Sequence, residues 1–377
     1  VTRDEGGEGD DALRAVPSSL DAIRARIDGI DDELLRLINE RAELARAVGE
    51  AKRRSDKAVD FYRPEREAHV LRRVLAGNPG PIRDDEMVRL FREIMSACLA
   101  QQEPLRIAFL GPEGTFTQAA VFKHFGHSAR ALPVGSIEEV FQEVEAGLAD
   151  FGVVPVENST EGTVHHTLDM FLSSPLTIGG EIELRIEQHL LARHPASLGS
   201  VERVCAHPQS LAQCRGWLTD HLPGAERVGV SSNAEGARRA RDERGTAAIA
   251  GRTAGEIYGL EVLAEGIEDR PDNTTRFLVV GRKVFAPSGQ DKTTVLVSTG
   301  GTEGPGVLHR LLAPLATHGV SMTRIESRPS RRGKWDYVFF LDLAGHAEDP
   351  PVAAALAELD ALAAVFRVLG SYPRAVL

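Results

Sequence analysis

Arg41 stands where a helical seam calls for an apolar side chain. Leu20, Ile23, Ile27, Ile30, Leu34, Leu37, Arg41, Leu44 and Val48 follow alternating steps of three and four residues, the a/d pattern of a long helix, so Arg41 points toward a partner helix. Arg24 and Lys52 lie four residues beyond Leu20 and Val48 and border the same face. A lone seam arginine would snorkel to water or pair with a glutamate, but three cations on one face point to a bound anion. On a helix rising ~1.5 Å per residue, Arg41 and Lys52 are roughly 17 Å apart and can converge on one small dianion. Arg24, roughly 26 Å from Arg41, reaches such a site only from a second, antiparallel copy.

The helices that must complete this site follow directly. Pro64 opens a pattern with Arg66, Val70 and Val74 on one face and Glu67, Leu71 and Leu75 on the next, ending at Gly77-Asn78-Pro79-Gly80. Asp84 caps a third helix whose apolar face, Met87, Phe91, Ile94 and Met95, also carries Cys98 and Gln102. Polar groups therefore face inward on all three helices.

At Gln102-Glu103-Pro104 the period changes, and strands alternate with helices: Leu105 to Leu110, Phe151 to Val156, Val204 to Ala206, Arg227 to Val230 and Ala247 to Ala250. The alternation predicts an α/β domain with a largely parallel sheet, whose ligand sits beyond the carboxyl ends of the strands. Those ends carry Thr115 and Thr117; Glu157, Asn158, Ser159 and Thr160; His207, Gln209 and Ser210; and Ser231, Ser232 and Asn233. Each alone reads as an N-cap, and their number favours a small polar ligand. The turn Asp269-Arg-Pro-Asp-Asn-Thr-Thr275-Arg276-Phe277 holds more hydrogen-bonding groups than a structural turn needs. No metal-ligand spacing, serine-nucleophile elbow or Walker loop accompanies it, so neither a metal nor another cofactor is expected.

After Pro287-Ser288-Gly289 the pattern is strand, helix, strand, strand, helix, strand, the last strand being Phe366 to Ser371: a ferredoxin-like βαββαβ unit. Glu326-Ser-Arg-Pro329 closes its second strand and Gly304-Pro-Gly306 opens its first helix; an amino-acid zwitterion would suit both.

The 377 residues carry a net charge of -11 and three cysteines without metal spacing. At about 150 residues per domain, two or three domains are expected. Acidity without a Lys/Arg run argues against nucleic acid, and no apolar stretch nears the ~20 residues of a membrane span. The acidic start is unlike a secretory segment, so a reduced, cytoplasmic protein with an unstructured tail over 1–16 is expected.

These motifs carry a resemblance from about Leu20 to Leu377. Residues 17–103 resemble the all-helical chorismate mutase family. Residues 104–285, with Thr275-Arg276-Phe277, resemble prephenate dehydratases, and 290–377, with Glu326-Ser-Arg-Pro329, an ACT regulatory domain. Together they resemble the bifunctional chorismate mutase and prephenate dehydratase family of phenylalanine biosynthesis. The resemblance implies that Arg24 and Arg41 bind substrate carboxylates, Lys52 and Gln102 bond the ether oxygen, and Glu67 holds the ring hydroxyl beside Arg66. Cys98 falls where some members have a carboxylate-binding serine, and Arg63 where some have an aspartate. For the dehydratase it implies two α/β lobes similar to periplasmic binding proteins, with Thr275 as donor to the leaving hydroxyl, Glu157 behind it, Arg276 on a carboxylate and Phe277 excluding water. Asn158, Ser159, Thr160, Ser210 and Thr115 complete that pocket. It further implies feedback by L-phenylalanine, bound where Gly306, Val307 and Leu308 approach Glu326, Ser327, Arg328 and Pro329 of a paired subunit, in a homodimer or larger assembly. The rival readings are an amino-acid-sensing module with inactive sites, and a dehydratase that prefers arogenate.

Overall fold

The computed structural model describes residues 19–54, 62–300, 305–330 and 337–376; the expected tail over 1–16, Gly304 and Trp335 lie outside them. The chain forms two compact units, Val1–Phe61 with Ala97–Glu103, and Tyr62–Ser96 with Pro104–Leu377. Among the described residues no helix is long and apolar enough to cross a membrane.

The first unit is built on α1, the 35-residue helix Leu20–Arg54. Its polar side is laced by charge pairs one turn apart, as where Arg36 bonds to both Glu33 and Glu40. Its apolar seam is uncovered: Leu20, Ile27, Ile30, Leu34, Leu37, Leu44 and Val48 are all exposed, and Gly49 is the one described residue of α1 that is buried.

The second unit begins with α2 (Pro64–Gly77) and α3 (Asp84–Ala100), the latter counted here up to Ser96. Pro64, Ala68 and Leu71 form the buried stripe of α2. Its Arg72 donates to the carbonyls of Ser288 and Gln290, which fixes the stretch read as a linker.

Then follow β1 (Arg106–Leu110), α4 (Phe116–Phe125), β2 (Arg130–Val134), α5 (Ile137–Glu145), β3 (Phe151–Asn158), β4 (Gly162–Thr163), α6 (His165–Met170) and β5 (Thr177–Arg185). The chain next builds β6 (His189–Ala192), β7 (Arg203–Ala206), α7 (Pro208–Gln213), α8 (Arg215–His221), β8 (Glu226–Gly229), α9 (Asn233–Asp242), β9 (Thr246–Ala250), α10 (Arg252–Tyr258) and β10 (Glu261–Ala264). It returns as β11 (Thr274–Gly281). The polar residues after the strands do start helices: the Thr115, Ser136 and Ser232 side chains accept from the backbone N–H three residues on.

Two sheets result, with strand orders β2-β1-β3-β11-β5, where β4 flanks β3, and β10-β6-β9-β7-β8. The expectation of one largely parallel sheet is corrected. β11 runs antiparallel between β3 and β5, and β6 antiparallel to β9 and β10, because the chain crosses to the second sheet and comes back. The two crossings lie side by side, with Ile186 N–H donating to the Asn273 carbonyl at 2.8 Å. β5 escaped the sequence pattern because Gly179 and Gly180 interrupt it. A Cβ on Gly179 would stand 2.5 Å from the Phe285 ring, so the residue is small for packing.

The remainder is β12 (Asp291–Ser298), α11 (Val307–Thr317), β13 (Met322–Pro329), β14 (Tyr337–Ala344), α12 (Pro350–Leu362) and β15 (Val365–Pro373), in an antiparallel sheet ordered β13-β14-β12-β15. Helices α11 and α12 cover one face through Leu311, Leu315, Leu356 and Leu359. The other face joins the first sheet: Leu296, Phe340, Leu369 and Tyr372 share a core with Val154, Leu278 and Val280. That docking sets which strand faces remain open for a site.

Candidate active sites

Between the first two sheets lies a cleft of about 690 Å³, lined by Thr115, Asn158, Gln188, Ser210, Asn273, Thr275 and Phe277 among others. Thr275 and Asn158 are register partners on β11 and β3, and the Asn158 Nδ2 donates to Thr275 Oγ1 at 2.8 Å. The orientation of that amide is fixed, since Asn158 Oδ1 accepts the backbone N–H of Thr160 and Glu161, both at 3.0 Å. Asn158 occupies one lone pair of the buried Thr275 hydroxyl, and no acceptor for its hydrogen stands among the described residues, so the hydroxyl can donate into the cleft it lines. Thr160 itself is exposed, and Ser159 ties the turn together by accepting from Thr274 N–H at 2.9 Å. Both shape the loop, and neither lines this cleft.

Two expected pocket residues are corrected by strand alternation. Glu157 and Arg276 are register partners one residue from Asn158 and Thr275, so they lie on the opposite face. Glu157 pairs with Arg324 of β13 at 2.8 Å, which removes it as the acid behind Thr275. Arg276 bonds to Glu181 at 2.9 Å, to Asp342 at 2.6 Å and to the Tyr372 hydroxyl at 3.1 Å, so its guanidinium is not available to a substrate carboxylate in the cleft. Burial opposes its charge, yet Tyr372, Asp342 and Glu181 hold its pKa above the ordinary value. Lys292 also meets Glu181 at 2.5 Å, so two cations and two carboxylates form one buried cluster.

The residues read as mutase groups divide between the units. In the first, Arg24 is exposed, with Asp21 at 4.0 Å, while Arg41 and Lys52 are half-buried on α1. Cys98 is buried, and Gln102 lies on Gly49 so closely that a Cβ there would meet its Cγ at 3.0 Å. Gln102 Oε1 is buried without a hydrogen-bond partner among the described residues. In the second, Arg66 is exposed and Arg63 precedes α2, where it bonds to Glu65 at 2.6 Å. Glu67 lies 3.6 Å from Arg92 in a pocket also lined by Tyr62, Lys123 and His124.

That pocket predicts opposed pH effects. Burial pushes Glu67 up to about 6 against the pull of Arg92. Burial and then Arg92 push His124, whose Nε2 meets the Tyr62 hydroxyl at 2.9 Å, down to about 3. Glu67 binds its proton more tightly folded than unfolded, so its contribution is full below the ordinary carboxylate pKa and lost as pH rises through about 6. His124 is kept neutral, so its contribution is present above the ordinary imidazole pKa and lost as pH falls toward 3. We expect the gap in unfolding free energy between the parent and His124→Asn to shrink by about 1.4 kcal/mol per pH unit below about 6.5. Urea unfolding at several pH values tests this, and a constant gap would refute it.

In the C-terminal sheet, Arg324, Glu326 and Arg328 are alternate residues of β13 facing the first sheet's loops. Glu326 accepts from the Thr163 hydroxyl at 2.8 Å, and Arg328 pairs with Asp169 at 2.9 Å. Both charges are engaged within the chain. Ile325, Ser327 and Pro329 face outward and are exposed. Gly306 adopts φ 75 before α11, whose Val307 is half-buried and Leu308 exposed.

Family models for chorismate mutase type II, prephenate dehydratase and the ACT domain match residues 23–103, 107–284 and 295–361. A bifunctional chorismate mutase/prephenate dehydratase of Stutzerimonas stutzeri is 54% identical over 362 residues, 95% of this chain and 98% of that protein. The chain belongs to the bifunctional chorismate mutase/prephenate dehydratase family. A relative of the same description from Aquifex aeolicus is 44% identical over 95% of this chain and 99% of its own length. A prephenate dehydratase from Arthrobacter aurescens, solved in complex with L-Phe, has a TM-score of 0.67 and 39% identity, covering 72% of this chain and 90% of that one. For a member of this family, the cleft holds residues that sequence reasoning passed over. Asn273 stands out in the sequence only as part of its turn, and Gln188 and Gln213 carry no signal because they sit on a crossing and inside a helix pattern.

Proposed function

We propose that the helical part rearranges chorismate to prephenate and the α/β part converts prephenate to phenylpyruvate, with feedback by L-phenylalanine at the ACT domain. The observation that carries the second step is the Thr275 hydroxyl, engaged as acceptor by an orientation-locked Asn158 and left to donate into the cleft. When the C–C bond to the ring carboxylate breaks, its electron pair enters the ring and expels hydroxide from the far carbon. Thr275 donates a hydrogen bond to that oxygen as its charge grows, the carboxylate departs as carbon dioxide, and the released hydroxide takes a proton from solvent to become water. The buried Phe277 keeps bulk water from the ring. The cleft between two lobes fits a fold similar to periplasmic binding proteins.

The first step is pericyclic and needs a compact conformer with donors at the oxygen that gains negative charge. Arg41 and Lys52 supply cations from α1, and Gln102 supplies an amide NH2 as a further donor. The uncovered seam of α1 supports a homodimer in which Arg24 serves the second copy's site. The mutase, dehydratase and regulatory parts are assigned to 17–103, 104–285 and 290–377.

For feedback, the outward face of β13 with Gly306, Val307 and Leu308 is proposed as one wall of an effector site completed by the second copy. Its inward face holds the dehydratase loops through Glu157, Thr163 and Asp169, which gives bound L-phenylalanine a direct route to the strand that carries Asn158. Purified protein given chorismate should form phenylpyruvate, and Arg41→Ala should stop chorismate consumption while leaving prephenate turnover within about twofold. Absence of both products from the parent protein would sink the reading.

A further inference from the structure

The cleft is lined by a chain of amides whose direction is set at both ends by backbone N–H groups. At one end Thr160 and Glu161 fix Asn158, which donates to Asn273 Oδ1 at 2.8 Å as well as to Thr275. At the other, His207 N–H donates to Asn233 Oδ1 at 2.9 Å, so the Asn233 amide donates to Ser210 Oγ at 2.8 Å. Between them, Asn273 Nδ2 donates to Gln213 Oε1 at 3.3 Å. Gln188 Nε2 donates to that same oxygen at 3.3 Å and to Ser210 Oγ at 3.2 Å. Turning the Gln188 amide over would press its carbonyl against the Gln213 carbonyl, so its direction is fixed too. One acceptor is then left over. Gln188 is 1% exposed, lines the cleft, and its Oε1 has no hydrogen-bond partner among the described residues.

A buried amide oxygen is costly until a donor meets it, and a site built around one discriminates among ligands by whether they bring that donor. We infer that Gln188 is a specificity-determining residue of the dehydratase site, its carbonyl accepting a hydrogen bond from an O–H or N–H of the bound substrate. The inference rests on the dehydratase reading above. Prephenate with ionised carboxylates carries one such donor, the ring hydroxyl; arogenate carries that hydroxyl and an ammonium.

The test is Gln188→Met in the full-length protein, with kcat and KM measured on prephenate and on arogenate beside chorismate turnover and thermal unfolding. Ser210 Oγ and Gln213 Oε1 each keep one amide donor in this variant, so the melting temperature should hold while kcat/KM falls about tenfold or more. An equal fall on both substrates assigns the donor as the ring hydroxyl; a fall on arogenate alone assigns it as the ammonium. A kcat/KM within twofold of the parent on both substrates overturns the inference. A fall accompanied by a collapsed melting temperature overturns it as well, because it makes Gln188 a structural residue of the cleft rather than a partner of the substrate. A parent protein that turns over neither substrate is a different outcome, since it defeats the dehydratase reading itself.

Discussion

Thr275→Val should let prephenate accumulate from chorismate, with dehydratase kcat/KM lowered by about 10²–10⁴ and chorismate consumption unchanged. Valine keeps the β-branch and nearly the volume, so β11 should hold its register while the one outward hydroxyl is lost. The effect should lie in kcat more than in KM, because the Thr275 donor matters most once the departing oxygen carries charge. Asn158 would lose one acceptor but still donate to Asn273, which limits the structural damage. Phenylpyruvate formation within threefold of the parent would mean another group assists the leaving hydroxide.

Arg276→Met should cost stability rather than substrate affinity. Its guanidinium bonds to Glu181 and Asp342, whose side chains are each 3% exposed. Without it Lys292 still serves Glu181, but Asp342 keeps only the Thr294 hydroxyl, at 2.7 Å, as its side-chain donor among those described. A buried carboxylate stripped of its cation typically costs about 3–5 kcal/mol. Urea unfolding should show that loss, and Arg276→Met with Asp342→Asn should recover part of it, because the pair is coupled. A substrate-binding arginine would behave oppositely, raising KM for prephenate at unchanged stability. That outcome would restore the reading in which Arg276 holds a carboxylate.

Much of this protein was legible from local pattern. The 3-4 spacing of α1, the strand and helix alternation, the capping hydroxyls at Thr115 and Ser232 and the donor-rich turn before Phe277 are set by near neighbours, which a sequence displays directly. Period-two alternation sets neighbours such as Glu157 and Asn158, or Thr275 and Arg276, on opposite faces of a strand, and the pairing of β11 with β3 puts Asn158 and Thr275 on one face and Glu157 and Arg276 on the other. It did not say which face was the site. That choice was made by the C-terminal sheet, whose Asp342, Tyr372 and Arg324 take the Glu157 and Arg276 side from 66, 96 and 167 residues away and leave the other open. The polarity of the amide chain through Gln188 likewise exists only once two lobes bring Asn158, Asn273, Gln213 and Ser210 together. A side chain's type fixes what bonds it can make; its partners, distant in sequence, decide which bonds remain for a substrate.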